Sequence, residues 1–256
     1  MNNRPIGVYD SGFGGLSVWR ELHRALPCES LIYLGDGKNC PYGSLPKQRI
    51  KELAEAAVRD LVERGCKMVV VACNTATAAA ILHLRATFDI PIVGLEPAVK
   101  PACAMTRSKV VGVIATERSL KGEKFLSTVE RYGQGVEVIK AVGEGFVEAV
   151  ENNEEDTPAT EQIVRRVVEP IIERGADVIV LGCTHYPFLR DVIARVVGER
   201  DVAIIDSGAA VEKRVESLLD EYDLRASQDN VARIEFITYA DEEYGQRLRD
   251  KALEGF

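Results

Sequence analysis

Two stretches of this chain hold cysteine where chemistry is possible: Val69-Val-Val-Ala-Cys73-Asn74-Thr75 and Val178-Ile-Val-Leu-Gly-Cys183-Thr184-His185. In each, a run of β-branched residues climbs into a thiol followed by small polar side chains. The segments are copies of one pattern. Glu63-Arg64-Gly65 and Glu173-Arg174-Gly175 precede them, and each cysteine falls eight residues after its glycine, at an offset of 110 residues. A second echo joins Tyr9-Asp10-Ser11-Gly12 to Ile205-Asp206-Ser207-Gly208. A lone cysteine at a strand end reads as a small buried hydrophobe. Two in equivalent positions of a repeat read as a functional pair, because chance core cysteines have no reason to fall in register.

Facing thiols suit one reaction class. A thiolate removes a proton from a carbon, and the opposite thiol returns one to the other face, inverting a stereocentre without a cofactor. A helix start beside the thiol favours the thiolate. Asn74, Thr75 and Thr184 suit helix caps and anion contacts. His185, two residues past Cys183, leaves a Cys-His hydrolase open as a rival, though that leaves Cys73 unexplained.

Other strand-end motifs complete the candidate set. Asp10 opens Asp-Ser-Gly-Phe-Gly-Gly, whose glycines permit a tight turn and close backbone approach. A dinucleotide fingerprint with Asp36 downstream is a weak rival, since Ser17 holds the third glycine position. The turn-rich loop Cys40-Pro41-Tyr42-Gly43 offers a Tyr42 hydroxyl and a Gly43 N–H to a carboxylate, or is a plain turn. Thr116 stands at another strand-to-helix junction, as a cap or a ligand contact. His23 and His83 lie on helical segments and read as structural.

The elements that must position these residues are legible in the pattern. Apolar runs at 6–10, 31–35, 68–72, 90–95, 110–115, 136–141, 178–182, 202–206 and 234–240 read as strands. Segments of helical period, such as 46–64, 158–174 and 208–221, lie between them. This alternation predicts an α/β fold of two pseudo-symmetric domains, each a mainly parallel sheet flanked by helices. Ligands bind beyond the carboxyl ends of such strands, so the active site is expected in the interdomain cleft. Crossings near 94–101 and 205–210 divide the chain into a first domain of 1–96 plus 207–256 and a second of 97–206. Residues 151–158 read largely as an acidic surface loop, with Thr157-Pro158 opening the next helix.

The chain has 256 residues, 46% of them hydrophobic, and a net charge of −8. It is long enough for a substantial core, and its scattered Lys and Arg argue against nucleic acid or an anionic membrane as partner. With no signal core, no membrane-length apolar run and no zinc-like Cys/His spacing, it reads as a soluble cytosolic protein with reduced thiols and no metal. No lysine sits in a motif that suggests a pyridoxal Schiff base, so no cofactor is expected.

Together, "YDSGFGGLSV", "GDGKNCPYG", "VVACNTATA", "GLEPAVKPA", "GVIAT", "VLGCTHYP" and "IDSGAA" resemble, in order, the signature segments of bacterial glutamate racemases over about residues 6–210. The resemblance implies a cofactor-independent interconversion of L- and D-glutamate for peptidoglycan synthesis. It implies that Cys73 takes the α-proton of D-glutamate and Cys183 that of L-glutamate, assisted by Asp10 and His185 respectively, with Glu151 aiding. It implies substrate contacts from Asp10, Ser11, Pro41, Tyr42, Gly43, Cys73, Asn74, Thr75, Thr116, Ser119, Cys183, Thr184 and His185. Ser119 stands where the family usually has a second threonine, which keeps the hydroxyl and loses the methyl. It further implies a first domain holding both chain ends, a homodimer, and in some members a cell-wall precursor as activator. An aspartate racemase of the same superfamily and a non-enzymatic glutamate sensor are the remaining rivals.

Overall fold

The computed structural model describes residues 1–254. The nine apolar runs are all strands, trimmed by a residue or two at some ends and, for 136–141, shifted by one residue to Glu137–Val142. The chain forms two compact units, residues 1–95 with 208–256, and 96–207.

The first unit contains β1 (Ile6–Asp10), α1 (Leu16–Ala25), β2 (Leu31–Gly35), α2 (Lys47–Glu63), β3 (Met68–Val71), α3 (Asn74–Thr87), β4 (Ile92–Gly94), α10 (Gly208–Glu221), β9 (Ile234–Thr238) and α11 (Glu242–Leu253). Its sheet runs β4-β3-β1-β2-β9, every neighbour parallel. The second unit contains α4 (Val99–Met105), β5 (Val110–Ala115), α5 (Glu117–Lys121), α6 (Glu123–Tyr132), β6 (Glu137–Val142), α7 (Phe146–Glu151), α8 (Pro158–Glu173), β7 (Val178–Leu181), α9 (Arg190–Val197) and β8 (Ala203–Ile205). Its sheet runs β6-β5-β7-β8, also parallel throughout.

Read in the same sense, β8-β7-β5-β6 repeats β4-β3-β1-β2, and β9 is the one strand without a counterpart. The sequence repeat is therefore a repeat of topology. The Glu-Arg-Gly motif is its punctuation: Gly65 ends α2 at φ +84° and Gly175 ends α8 at φ +87°. A left-handed residue there stops the helix and turns the chain into the next strand, a conformation that favours glycine.

The inner strands β1, β3 and β7 are buried along their whole length. That is the physical reason β3 and β7 read as unbroken apolar runs, Met-Val-Val-Val and Val-Ile-Val-Leu, rather than alternating. The edge strand β6 is exposed or half-buried except at Ile139. Thr157 caps α8 as expected, its hydroxyl accepting the Thr160 N–H at 3.2 Å with Pro158 in the first turn. Among the described residues, no helix is long and apolar enough to cross a membrane.

Candidate active site

In the first unit, Asp10 ends β1 and Cys73 follows the neighbouring strand β3. Both are buried. The expectation that Asn74 or Thr75 caps α3 is corrected: Cys73 is itself the N-cap, and its Sγ accepts the Ala76 N–H at 3.4 Å. A sulfur held against the first N–H groups of a helix is better placed as thiolate than as thiol. The Ser11 hydroxyl lies 3.6 Å from the same sulfur. Asn74, one residue on, is 5% exposed, and its side-chain N–H₂ has no hydrogen-bond partner among the described residues. Leaving an amide donor buried and unpaired costs about 1–3 kcal/mol. Such a group beside a buried thiol can bind a ligand acceptor.

Asp10 is fixed by the turn that follows it. Its Oδ2 accepts the Gly15 N–H at 2.5 Å. A Cβ at Gly15 would lie 2.6 Å from the Asp10 Cβ, so only glycine allows this approach. The same bond disposes of the dinucleotide alternative, because the N–H at the start of α1 that would face a phosphate already serves a carboxylate.

The Pro41-Tyr42-Gly43 loop forms a short 3-10 turn, Tyr42–Ser44. The Tyr42 hydroxyl is committed internally: it accepts from the Tyr9 phenol at 2.7 Å and donates to Asp36 Oδ2 at 2.6 Å. Its single proton is spent on Asp36. What the loop has to offer a substrate carboxylate is therefore backbone, since the first N–H groups of a turn have no acceptor inside it. Burial, with Tyr9 and Asp36 adding, pushes the Tyr42 phenol well above the ordinary tyrosine range, so it stays neutral. Tyr9 and Asp36 are the residues that sequence reasoning missed. An alternating phenol in a buried strand carries no signal, and Asp36 was visible only as half of a weak nucleotide motif.

In the second unit, Cys183 follows β7 as Cys73 follows β3. The helix expected directly after it is delayed: Tyr186–Leu189 forms a 3-10 turn first, and α9 starts at Arg190. Thr184 accordingly caps no helix. Pro187 lies in this turn and has no N–H to give to a helical ladder.

The delay places His185 inside the turn, nearly fully buried, with Nδ1 3.8 Å from the Cys183 Sγ. Its Nε2 lies 2.6 Å from Oε1 of Glu151, the last residue of α7. Glu151 thus belongs to a helix end rather than to the acidic loop after it. Tyr186 holds the two elements together, its ring edge-on to Phe146 at 5.0 Å between centroids and its hydroxyl donating to the Gly143 carbonyl at 3.3 Å. An Nε2–H donated to the carboxylate would leave Nδ1 of a neutral imidazole with its lone pair towards the thiol. This is the arrangement of a base oriented by a third group.

Thr116 follows β5, the strand beside β7. It caps α5, its Oγ1 accepting the Ser119 N–H at 3.3 Å and donating to the Ser119 hydroxyl at 2.9 Å. Both hydroxyls thus lie at the same end of the sheet as Cys183. The four other cysteines, Cys28, Cys40, Cys66 and Cys103, fall outside the repeat and form no disulfide among the described residues. Burial pushes the Cys66 thiol up to about 12, which makes it inert.

Comparison with known proteins now bears on this arrangement. A profile of the Asp/Glu/Hydantoin racemases matches residues 14–214. The chain belongs to that family. It is therefore an enzyme, an isomerase. The chain is 51% identical to the glutamate racemase of Methylococcus capsulatus over 219 residues, covering 86% of this chain and 80% of that protein. It is 45% identical to the glutamate racemase of Herpetosiphon aurantiacus over 97% of this chain and 98% of that one. Among solved structures, the glutamate racemase of Escherichia coli in complex with L-glutamate and the activator UDP-MurNAc-Ala superposes with TM-score 0.85 at 32% identity, covering 96% of this chain and 92% of that chain. The glutamate racemase RacE1 of Bacillus anthracis superposes with TM-score 0.86 at 31% identity, covering 99% and 95%.

Proposed function

We propose that this enzyme interconverts L- and D-glutamate by a two-base mechanism in which Cys73 and Cys183 act on the α-carbon. The observation that carries the reading is the repeated placement of the two buried thiols, each after the corresponding strand of two sheets with one topology. From L-glutamate, the Cys183 thiolate takes the α-proton and the Cys73 thiol delivers its own to the opposite face. The reverse reaction exchanges the roles. The mechanism needs the two thiols on opposite faces of the bound α-carbon.

The two thiols are prepared differently. Cys73 is favoured as thiolate by the helix N–H it accepts, whereas Cys183 has His185 to take its proton and Glu151 to hold the imidazole. The α-proton of an amino acid is far less acidic than any side chain, so the site must stabilise a carbanion-like state with fixed donors. Asn74, the Gly43 N–H, Ser11, Thr75, Thr116, Ser119 and Thr184 are the donors we assign to the two carboxylates of glutamate. The product D-glutamate serves peptidoglycan synthesis, which places the enzyme in the cytoplasm, and we assign it a homodimeric state.

The deciding experiment follows the α-proton of L-glutamate by proton NMR in D2O with no added cofactor. Loss of the signal with appearance of D-glutamate by chiral assay supports the reading, and an unchanged signal with folded protein overturns it. UDP-MurNAc-Ala belongs in a parallel sample, because the E. coli neighbour binds it as an activator. Cys73→Ala and Cys183→Ala should each abolish racemisation, and racemisation that survives either substitution overturns the two-base mechanism.

A further inference from the structure

Strand β1 buries a tyrosine whose hydroxyl the packing does not require. Tyr9 is 0% exposed and shares one hydrophobic cluster with Tyr42 and Cys73. A phenylalanine would fill the same volume. A buried hydroxyl costs free energy unless bonded, and this one has a single defined role: it donates to the Tyr42 oxygen at 2.7 Å.

That bond is the first link of a chain that ends on a carboxylate acceptor. Tyr42 has one proton, and with its oxygen accepting from Tyr9 the proton goes to Asp36 at 2.6 Å. The Asn39 side-chain amide meets both Asp36 oxygens at 3.0 Å, and the Asp36 N–H donates to the Asp10 carbonyl at 3.0 Å. The hydroxyl chain therefore ties the 41–43 turn to the strand that carries Asp10. Burial foremost, then the nearby Cys73, keeps the Tyr9 phenol far above its ordinary range, with Asp36 and Asp10 adding. Tyr9 is a permanent donor.

We propose that Tyr9 is a positioning residue for the racemase reaction, fixing through Tyr42 the Pro41–Gly43 turn that receives a substrate carboxylate. This inference rests on the glutamate reading above.

The test is Tyr9→Phe, which keeps the ring and removes one oxygen. A buried hydrogen bond of this kind contributes about 0.5–1.5 kcal/mol. The expected result is a KM for both glutamate enantiomers raised about three- to tenfold, with kcat within about twofold of wild type. Tyr42→Phe should raise KM comparably, and adding Tyr9→Phe to it should change KM by less than about twofold, because the acceptor is already gone. A Tyr9→Phe protein that melts lower but keeps wild-type KM in both directions overturns the inference, since a merely structural tyrosine behaves that way. Additive effects in the double variant overturn it equally. Wild-type activity on glutamate is the control. If it is absent, the glutamate reading falls and takes this one with it. If it is present and Tyr9→Phe is silent, only the role of Tyr9 falls.

Discussion

Glu151→Gln isolates the carboxylate behind His185. Glu151 Oε1 lies 2.6 Å from His185 Nε2, and the two side chains are 14% and 3% exposed. A hydrogen bond to a charged group in such surroundings contributes about 1.5–3 kcal/mol. Glutamine keeps an acceptor and loses the charge, so the low end applies: about 1.5 kcal/mol, or roughly tenfold in rate. On the two-base mechanism proposed above, the loss falls on the step in which His185 would leave Cys183 as thiolate, that is, proton removal from L-glutamate. It cannot show as a directional difference in kcat/KM. Enantiomers have equal free energy, so the ratio of kcat/KM in the two directions is fixed at unity and both values must fall together. The direction appears in the isotope effect. With α-deuterated substrates, Glu151→Gln should enlarge the primary effect on the L-to-D reaction, where Cys183 abstracts, relative to D-to-L. The assay is polarimetry or circular dichroism on each labelled enantiomer. An equal isotope effect in both directions, or kcat/KM within twofold of wild type, would refute the view that Glu151 works through His185 on one thiol.

Three further outcomes follow from other parts of the structure. Lys67→Met should cost about 3–5 kcal/mol in urea unfolding, because it leaves Glu29 buried without its cation, now at 2.5 Å; a loss below about 1 kcal/mol would contradict this. Burial works against ionisation of Asp177, but the Thr106 hydroxyl and the Ser108 and Arg107 N–H groups outweigh it and hold the carboxyl at about 2 against an ordinary 3.8. Its contribution is therefore fully present above about pH 4 and is lost as pH falls from there towards 2. After discounting for its solvent exposure the contribution is about 1 kcal/mol, and Asp177→Asn should flatten the acid limb of the stability profile by that amount. Gly182→Ala should lower kcat at least tenfold, since the new Cβ would meet the Ala115 Cβ at 2.8 Å and the Ile114 carbonyl at 3.0 Å, pushing Cys183 off its position; unchanged kcat in a folded variant would show that the Cys183 backbone has room to move.

The strands, the repeat and the two thiols are legible along the chain. These are local or periodic properties. A strand buried on both faces must be apolar throughout, and a helix that stops in the left-handed conformation favours glycine at Gly65 and Gly175. The equivalence of Cys73 and Cys183 is legible because the repeat puts each at the carboxyl end of a matching strand. The partners of individual polar atoms are not legible there and come from the packing. Tyr42 looked able to serve a substrate with its hydroxyl, yet Asp36 takes that proton. Asn74 looked like a cap, yet Cys73 caps the helix and leaves the amide unpaired. Glu151 looked like the start of an acidic loop, yet α7 carries it across 34 residues of sequence to His185. The physical reason is common to all three. Burial and period are set by each residue's own type and its near neighbours along the chain. The partner of a buried hydroxyl, amide or carboxylate is set by which distant element packs against it, and no pattern along the chain records that.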